Sequence, residues 1–377
     1  MRKKKRALFR RSPFLVSYWH GERLVFENYA TGNGASAAPL TAEVLSFFSR
    51  WRSAAALFEH LPQYSPSSLR AAIQGLVRYS LLQRSDRKAH PTEKAMAAWK
   101  NWNPAAGFFH FTGRDVPFEA DLVRMGRYME ELTHEKAMPV PVKRYARAAQ
   151  TRLLPPRMEG EFPRVLTSRR TWRRFAAGRL AFADLSTLLG LTWGVREWVT
   201  VPPLGRFAVK TSPSGGALHP IEAYVVAREV EGVAPGIYHY DADGHRLERL
   251  RRGITRERMN GYVMGQRWFS EATAMVLMTA VFTRTQWKYR YPRAYRVVLA
   301  ETGHLCQTFC LVATWLGLAP FCTMAIADSK IDRDLGLDGV TEGVLYVAGV
   351  GKMPEGVDWK TASLPVEPTG KKRGLPG

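Results

Sequence analysis

Apolar positions change their period several times along the chain, and each period predicts an element. Leu69, Ile73, Leu76 and Val77, just after Pro66, fall at i, i+4, i+7 and i+8, the spacing that lines up one buried stripe on a helix. Upstream, residues 42–49 read as a helix, and Ser53 reads as the cap of another that runs to His60, since its hydroxyl can accept from free first-turn N–H groups. Residues 79–83 read as a short strand. Helix, helix, helix, strand at this size is the outline of a winged helix-turn-helix, a module that reads a DNA groove or binds a peptide along its strand edge.

Residues 84–160 are less periodic. Trp99, Trp102, Phe108, Phe109 and Phe111 precede a helix predicted over 118–133. A basic run with Pro139, Pro141, Pro155, Pro156 and Pro163 then reads as a connector. Beyond it the patterns alternate: a helix over 182–193, strands over 222–227 and 237–240 with a turn at 241–244, and an apolar strand over 272–282. A long buried helix over 295–315 and a strand over 343–350 complete the series. Helices arranged with one sheet place the chain in the α+β class. The expected divisions are a winged-helix-like, peptide-binding domain over 1–110, a helical and Pro-rich connector over 111–160, and a second domain over 161–377.

With 377 residues, 46% of them hydrophobic and 11% aromatic, the chain can bury a sizeable core, which excludes a disordered or fibrous protein. The net charge of +22 favours nucleic acid, anionic lipid, phosphate groups or acidic peptides, without choosing among them. Arg2, Lys3, Lys4, Lys5, Arg6, Arg10 and Arg11 read as a solvated terminus. The segment 12–19 is too short and polar for the core of a signal peptide. The uncharged stretch 305–327 is long enough to cross a bilayer, yet Gln307, Thr308, Thr314, Gly317 and Pro320 favour a buried helix ending at Gly317 and a strand after it. A soluble, cytoplasmic protein without membrane contact is expected. Three cysteines, Cys306, Cys310 and Cys322, all lie in that stretch, which fits a reducing compartment. Cys306 and Cys310 share a helix face, but no His or Cys pair stands beside them in sequence, so they read as core and no metal site is assigned.

Three segments offer chemistry. Ser168-Arg169-Arg170-Thr171-Trp172-Arg173-Arg174-Phe175 brings four guanidinium groups to six positions, planar donors suited to a phosphate; alone, it is equally an exposed basic helix end. Thr211-Ser212-Pro213-Ser214-Gly215-Gly216-Ala217-Leu218-His219-Pro220 has paired glycines that let the backbone approach a flat ligand, with prolines stiffening both ends. It matches neither a dinucleotide fingerprint nor a P-loop nor a nucleophile elbow. Trp287-Lys288-Tyr289, followed by Arg293-Ala294-Tyr295-Arg296, sets a lysine beside a tyrosine, and a lysine can accept a proton where burial or neighbouring cations favour its neutral form. Glu131-Leu132-Thr133-His134 and Glu301-Thr302-Gly303-His304 give E-x-x-H twice, as a di-iron bundle needs, but no further pair of helices supplies its remaining glutamates.

In this order, the R-R-T-W-R-R-F entry, P-S-G-G-A-L-H-P, G-I-Y-H-Y-D, W-K-Y, R-A-Y-R-x-x-L-x-E-x-G-H and a late V-G-K resemble the SagB/ThcOx-type dehydrogenases, the nitroreductase-like enzymes of thiazole- and oxazole-forming peptide biosynthesis. The resemblance covers about residues 161–355, with a looser echo in the N-terminal module. It implies a nitroreductase-like domain, with a mostly antiparallel central sheet and helices on both faces, and a homodimer holding FMN between its subunits. It also implies that Arg169, Arg170, Thr171 and Arg173 grip the FMN phosphate and ring edge, that Lys352 makes a late phosphate contact, and that Pro213, Ser214, Gly215, Gly216 and Leu218 lie over the flavin. Lys288 and Tyr289 would be the base that removes a proton beside an azoline ring nitrogen as hydride passes to flavin N5. A precursor peptide is then the substrate and a cyclodehydratase a partner.

The chain departs from the family in two places. One extra residue separates K-Y from R-A-Y-R, so that Arg290-Tyr291 can be slid into the base position, and Trp172 stands where small or branched residues are usual. A nicotinamide-dependent nitro or quinone reductase stays open, as does another flavin-dependent peptide oxidation such as desaturation or oxidative decarboxylation. Nucleic-acid binding would account for the first 90 residues alone.

Overall fold

The chain opens with four strands that the hydrophobic pattern did not announce. β1 (Leu8–Arg11) carries three polar or aromatic side chains, and Arg10, expected in a solvated tail, donates from Nη2 to Gln83 at 2.9 Å and lies 4.8 Å over the Trp51 ring. β2 (Leu15–His20), β3 (Arg23–Asn28) and β4 (Asn33–Ser36) form an antiparallel meander, with Gly21 at φ +59° in the first turn, where an L side chain is disfavoured. The computed structural model describes residues 7–36, 38–135, 141–143 and 151–357; Arg2 to Arg6 and Pro139 lie outside them.

Next come α1 (Pro39–Phe47), β5 (Arg52–Ser53), α2 (Ala54–His60), α3 (Pro66–Arg78) and β6 (Leu82–Arg84). Ser53 Oγ accepts from Ala56 N at 3.2 Å and Ser65 Oγ from Ser68 N at 3.1 Å, each satisfying a first-turn donor. The α3 stripe packs as its spacing requires: Leu69, Ile73 and Leu76 join Val44, Leu45, Phe48 and Leu57 in one core. β1 pairs antiparallel with both β5 and β6. α4 (Pro91–Ala95), a 3-10 turn (Met96–Trp99) and α5 (Ala105–Thr112) follow.

These elements belong to the first of two compact units, which comprises Met1–Arg114, Val281–Val298 and Gly336–Gly343. Indole hydrogen bonds fix its distant segments, Trp99 Nε1 donating to Val340 O at 2.7 Å and Trp102 Nε1 to Tyr289 O at 3.0 Å. His110 is buried beside them. Its Nδ1 faces Tyr295 Oη at 2.8 Å and its Nε2 faces Gly339 O at 2.9 Å, so one neutral tautomer satisfies both contacts. Burial, then the Arg114 charge, push its pKa down to about 3.

The second unit comprises Asp115–Ala280, Leu299–Leu335 and Val344–Gly377. In chain order its region supplies α6 (Leu122–Glu135), α7 (Glu161–Ser168), α8 (Phe182–Thr192), the hairpin of β7 (Glu197–Val201) and β8 (Gly205–Val209), β9 (Ile221–Ala227), β10 (Gly236–Asp241) and β11 (Arg246–Arg252). After α9 (Arg256–Tyr262) and α10 (Arg267–Ser270) come β12 (Ala274–Val281), then α11 (Phe282–Lys288) and the first turn of α12 (Ala294–Trp315), which fall in the first unit, and then β13 (Leu318–Thr323), α13 (Asp328–Leu335) and β14 (Glu342–Lys352). The sheet runs β11-β10-β9-β12-β14-β13, and β9 pairs antiparallel with both β10 and β12, as do β10 with β11 and β13 with β14.

The near-continuous apolar runs of β9 and β12 follow from their central places in this sheet. Val226, Ile237, Met275, Leu277, Phe321 and Val347 share a core, each contributing ~1.5–3 kcal/mol by burial. Phe269 and Phe321 stack at 4.1 Å, and a Cβ on Gly349 would fall 2.4 Å from the Phe321 ring, so this close approach requires glycine. The stretch 305–327 divides as its Gly317 predicted, into the end of α12 and β13. By length and composition α12 could cross a bilayer, yet Leu305, Cys306, Phe309, Cys310 and Ala313 are buried.

Candidate functional site

The arginine-rich entry runs along the end of the sheet beside β13 and β14. Trp172 N donates to Pro320 O at 2.9 Å, and Ala176 N to Lys352 O at 3.0 Å. Trp172 is buried against Ala319. Gly351 lies under Phe175, where a Cβ would sit 2.4 Å from Cδ1. Gly178, at φ +122°, brings its backbone beside the Lys352 side chain, with Nζ 3.3 Å from where a Cβ would be.

The entry leads to an open cleft of about 970 Å³ lined by Arg173, Arg174, Arg228, Arg256, Arg267 and Trp268. That volume is at the upper end of ordinary small-molecule sites, ~300–1,000 Å³. Glu229 pairs with Arg228, and Glu271 Oε2 lies 3.1 Å from Arg256 Nη2, which offsets part of the positive charge. Burial opposes the charge of Arg173 and of Arg228, pushing each guanidinium pKa down. Three buried polar atoms on the wall, Arg174 Nε, Trp268 Nε1 and Asn260 Oδ1, have no hydrogen-bond partner among the described residues. A buried polar group left unpaired costs ~1–3 kcal/mol, so Arg174 Nε and Trp268 Nε1 call for an acceptor and Asn260 Oδ1 for a donor.

Of the residues expected at a phosphate, Arg173 lines the cleft and Lys352 borders it at Gly178. Arg169 and Arg170 lie outside the lining. Arg170 Nη1 folds back onto the Thr167 and Arg169 carbonyls at 2.7 and 2.8 Å. The residues that sequence reasoning missed are Arg228, Arg256, Arg267 and Trp268. They are scattered over forty positions with no common period, so no local pattern could have assembled them.

The loop 211–220 is held from α12. Gly215 N donates to Glu301 Oε1 at 2.7 Å, Ser212 Oγ meets Thr308 Oγ1 at 2.7 Å, and His304 Nδ1 faces Pro213 O at 3.4 Å. The second E-x-x-H motif therefore serves as a clamp on this loop. Glu301 is 4% exposed, and burial pushes its carboxyl pKa up against the opposing pull of Gly215 N–H, Ser214 and His304. Within the loop Gly216, Ala217 and His219 take φ of +70°, +56° and +42°. Left-handed backbone at alanine and histidine costs of order 1 kcal/mol each and gathers at ligand-binding sites, where neighbouring structure enforces it. His219 is pinned by Ser214 Oγ, which accepts its N–H at 2.9 Å, and by Ala208 O, 2.9 Å from its Nε2.

Lys288 and Tyr289 belong to the first unit. Lys288 closes α11 and is exposed; its Nζ lies 5.5 Å from the Tyr289 ring centroid. Tyr289 caps the helix, with its N–H on Thr285 O at 2.9 Å and its carbonyl held by Trp102. Tyr291 packs edge-on against Tyr289 at 6.1 Å. The segment is thus a short helix with a fixed end.

The six-stranded antiparallel sheet with its flanking helices, the arginine-bearing entry beside the last strand and the clamped glycine loop together make a mixed α/β scaffold. Residues 166–352 match the nitroreductase family, and the chain belongs to that family. It is 31% identical over 167 residues to the protein named Putative nitroreductase MJ1384 of Methanocaldococcus jannaschii, a match covering 44% of this chain and 80% of the relative. It is 27% identical over 335 residues to the trifolitoxin-processing protein TfxB of Rhizobium leguminosarum bv. trifolii, covering 80% of this chain and 85% of the relative. A solved structure, the E. coli microcin synthetase McbBCD complex with truncated pro-MccB17 bound, contains a chain that aligns with TM-score 0.48 and 21% identity, over 72% of this chain and all of that one.

Proposed function

We propose that this protein is an FMN-dependent dehydrogenase that oxidises azoline rings, thiazoline or oxazoline, to azoles in a ribosomally made peptide. The observation that carries the reading is the arginine-lined cleft at the entry motif, with its unpartnered donors and Lys352 at its border. FMN there would be held at its phosphate and ring edge by Arg169, Arg170, Thr171 and Arg173, with Lys352 as a further phosphate contact and Arg174 lining the same cleft. Pro213, Ser214, Gly215, Gly216 and Leu218 would cover the flavin, presented by a loop that Glu301 holds.

FMN bound there supplies a hydride acceptor at N5. The chain's own residues supply orientation and proton transfer: Lys288 takes the proton from the carbon beside the ring nitrogen, and Tyr289 positions that lysine. Aromatisation of the ring drives the step, and holding the reacting groups in one geometry is the main contribution of the protein.

The peptide substrate is supported by the order of the motifs and by the relative named as a trifolitoxin-processing protein. In this reading the winged-helix-like domain over 1–110 captures the precursor peptide, 111–160 connects, and 161–377 is catalytic. A cyclodehydratase supplies the azoline, two copies of the chain form the working homodimer, and the protein works in the cytoplasm without nucleic acid or membrane.

A second reading, a nicotinamide-dependent nitro or quinone reductase, is favoured by the likeness to MJ1384 and by the exposure of Lys288. Lys288→Ala separates the two. With flavin retained, the dehydrogenase loses azoline oxidation by ~100-fold or more, the usual contribution of a general base. Undiminished turnover of an azoline peptide by this variant would remove Lys288 from the mechanism. The product mass, two hydrogens lighter with no loss of carbon dioxide, distinguishes azole formation from oxidative decarboxylation.

A further inference from the structure

The sequence puts Cys306 and Cys310 on one face of α12 but gives no sign of what faces them. In the fold β13 brings Cys322 to the same point, and the three sulfurs lie within 4.8 Å of one another. Cys306 and Cys310 are buried, at 5% and 3% exposure, and Cys322 is half-buried. These are all the cysteines of the chain, drawn from two elements that have no local reason to share them.

We propose that Cys306, Cys310 and Cys322 are the ligands of a soft d¹⁰ metal ion, zinc(II) or copper(I), held by three thiolates. Soft sulfur donors select these ions over magnesium, calcium or manganese. A Zn–S bond of ~2.3 Å places tetrahedral sulfurs about 3.8 Å apart, and a trigonal arrangement about 4.0 Å. A triangle of at most 4.8 Å is within about an ångström of that size.

The surroundings suit the charge that thiolate ligands bring. The Tyr346 hydroxyl hydrogen-bonds to Cys322, and the positive charge of Arg169 lies near the same sulfur. Once a metal displaces the thiol protons, Tyr346 becomes a hydrogen-bonding neighbour of a bound sulfur, a role that tunes affinity in known sites. Cys306 and Cys310, one turn apart on a continuous helix, converge on an ion more readily than on each other. The inference is independent of the flavin reading, because its tests read metal and thiols only.

The test uses the full-length protein, reduced and stripped with a chelator, then titrated anaerobically with zinc(II) or copper(I) against a chromophoric competitor. One equivalent of either ion per chain is expected, and the preferred ion is the one that withstands the stronger competitor. Cys322→Ser should weaken binding at least tenfold, and Tyr346→Phe about tenfold. As a check that needs no variant, the ion should protect all three thiols of the wild-type chain from alkylation together. The proposal is overturned if neither ion is retained against the competitor, if a folded Cys322→Ser binds as well as wild type, if alkylation ignores the metal, or if the protein as purified contains a disulfide.

Discussion

Removing the Glu301 carboxylate should release the glycine loop, and the cost follows from one hydrogen bond and one burial. Gly215 N donates to Glu301 Oε1 at 2.7 Å, and the carboxylate is 4% exposed. A hydrogen bond to a charged group contributes ~1.5–3 kcal/mol, and a buried donor left without a partner costs ~1–3 kcal/mol. Glu301→Ala should therefore lower stability by about 3 kcal/mol, since these two descriptions of the same bond overlap and do not add. Glu301→Gln keeps an acceptor of the same reach and removes a buried charge, so about 1 kcal/mol is expected.

The pH dependence separates the variants further. Burial raises the Glu301 carboxyl pKa above its ordinary 4.5, so between that value and the folded value the native state binds more protons than the unfolded chain. This group's contribution is present below the unfolded pKa and declines as pH rises through the folded one; Glu301→Gln lacks that decline. Urea unfolding across pH 4 to 8, together with FMN affinity by fluorescence quenching, measures both effects. FMN binding should weaken at least tenfold in Glu301→Ala. An alanine variant within about 0.5 kcal/mol of wild type, or a glutamine variant as damaged as alanine, would refute the clamp.

Other perturbations should be as specific. His110, with a folded pKa of about 3 against 6.5 for the free side chain, destabilises the protein as pH falls below 6.5, by at most about 5 kcal/mol at 1.36 per unit. Denaturant midpoints should fall on acidification in wild type and less steeply in His110→Gln. His239 bridges Glu222 at 3.1 Å and Glu248 at 2.9 Å, and the Glu222 hydrogen bond leads in raising its pKa to about 9. Its stabilisation is full below 6.5 and is lost as pH rises through 9; after discounting for its partial exposure, His239→Gln should remove about 1–2 kcal/mol of that dependence in alkaline unfolding curves. Gly351→Ala would force Cβ into Phe175; overpacking of this kind costs ~1–3 kcal/mol, and the displaced entry segment should lose flavin, read as a lower FMN content after gel filtration.

The sequence made legible whatever depends on neighbours along the chain. The α3 stripe, the Ser53 cap and the apolar runs of β9, β12 and β14 obey local periods, and each stands within a few residues of its expected place. β11, Arg-Leu-Glu-Arg-Leu-Arg-Arg, escaped because it is a charged edge strand, and such edges resist pairing with other chains through those charges. β7 is exposed at all five positions and has no buried face to announce it.

The candidate site divides in the same way. Arg173 and the 213–218 loop are contiguous motifs and could be named. Arg228, Arg256, Arg267 and Cys322 join their neighbours only through the packing of β9, α9, α10 and β13, which no short-range pattern encodes. Glu301 and His304 were visible as a pair, but their role as a loop clamp required the fold. Trp99 and Trp102 stood out as an aromatic cluster, while their partners, Val340 and Tyr289, lie some two hundred residues away.

Flavin in the arginine-lined cleft is the central claim, and flavin stoichiometry tests it most directly. The full-length protein, incubated with FMN and passed through a desalting column, should hold one FMN per chain with the absorption bands of oxidised flavin. Arg174→Ala with Arg256→Ala should lower that content while the far-ultraviolet circular dichroism stays the same. A folded wild-type protein that leaves the column colourless after FMN incubation would contradict the account.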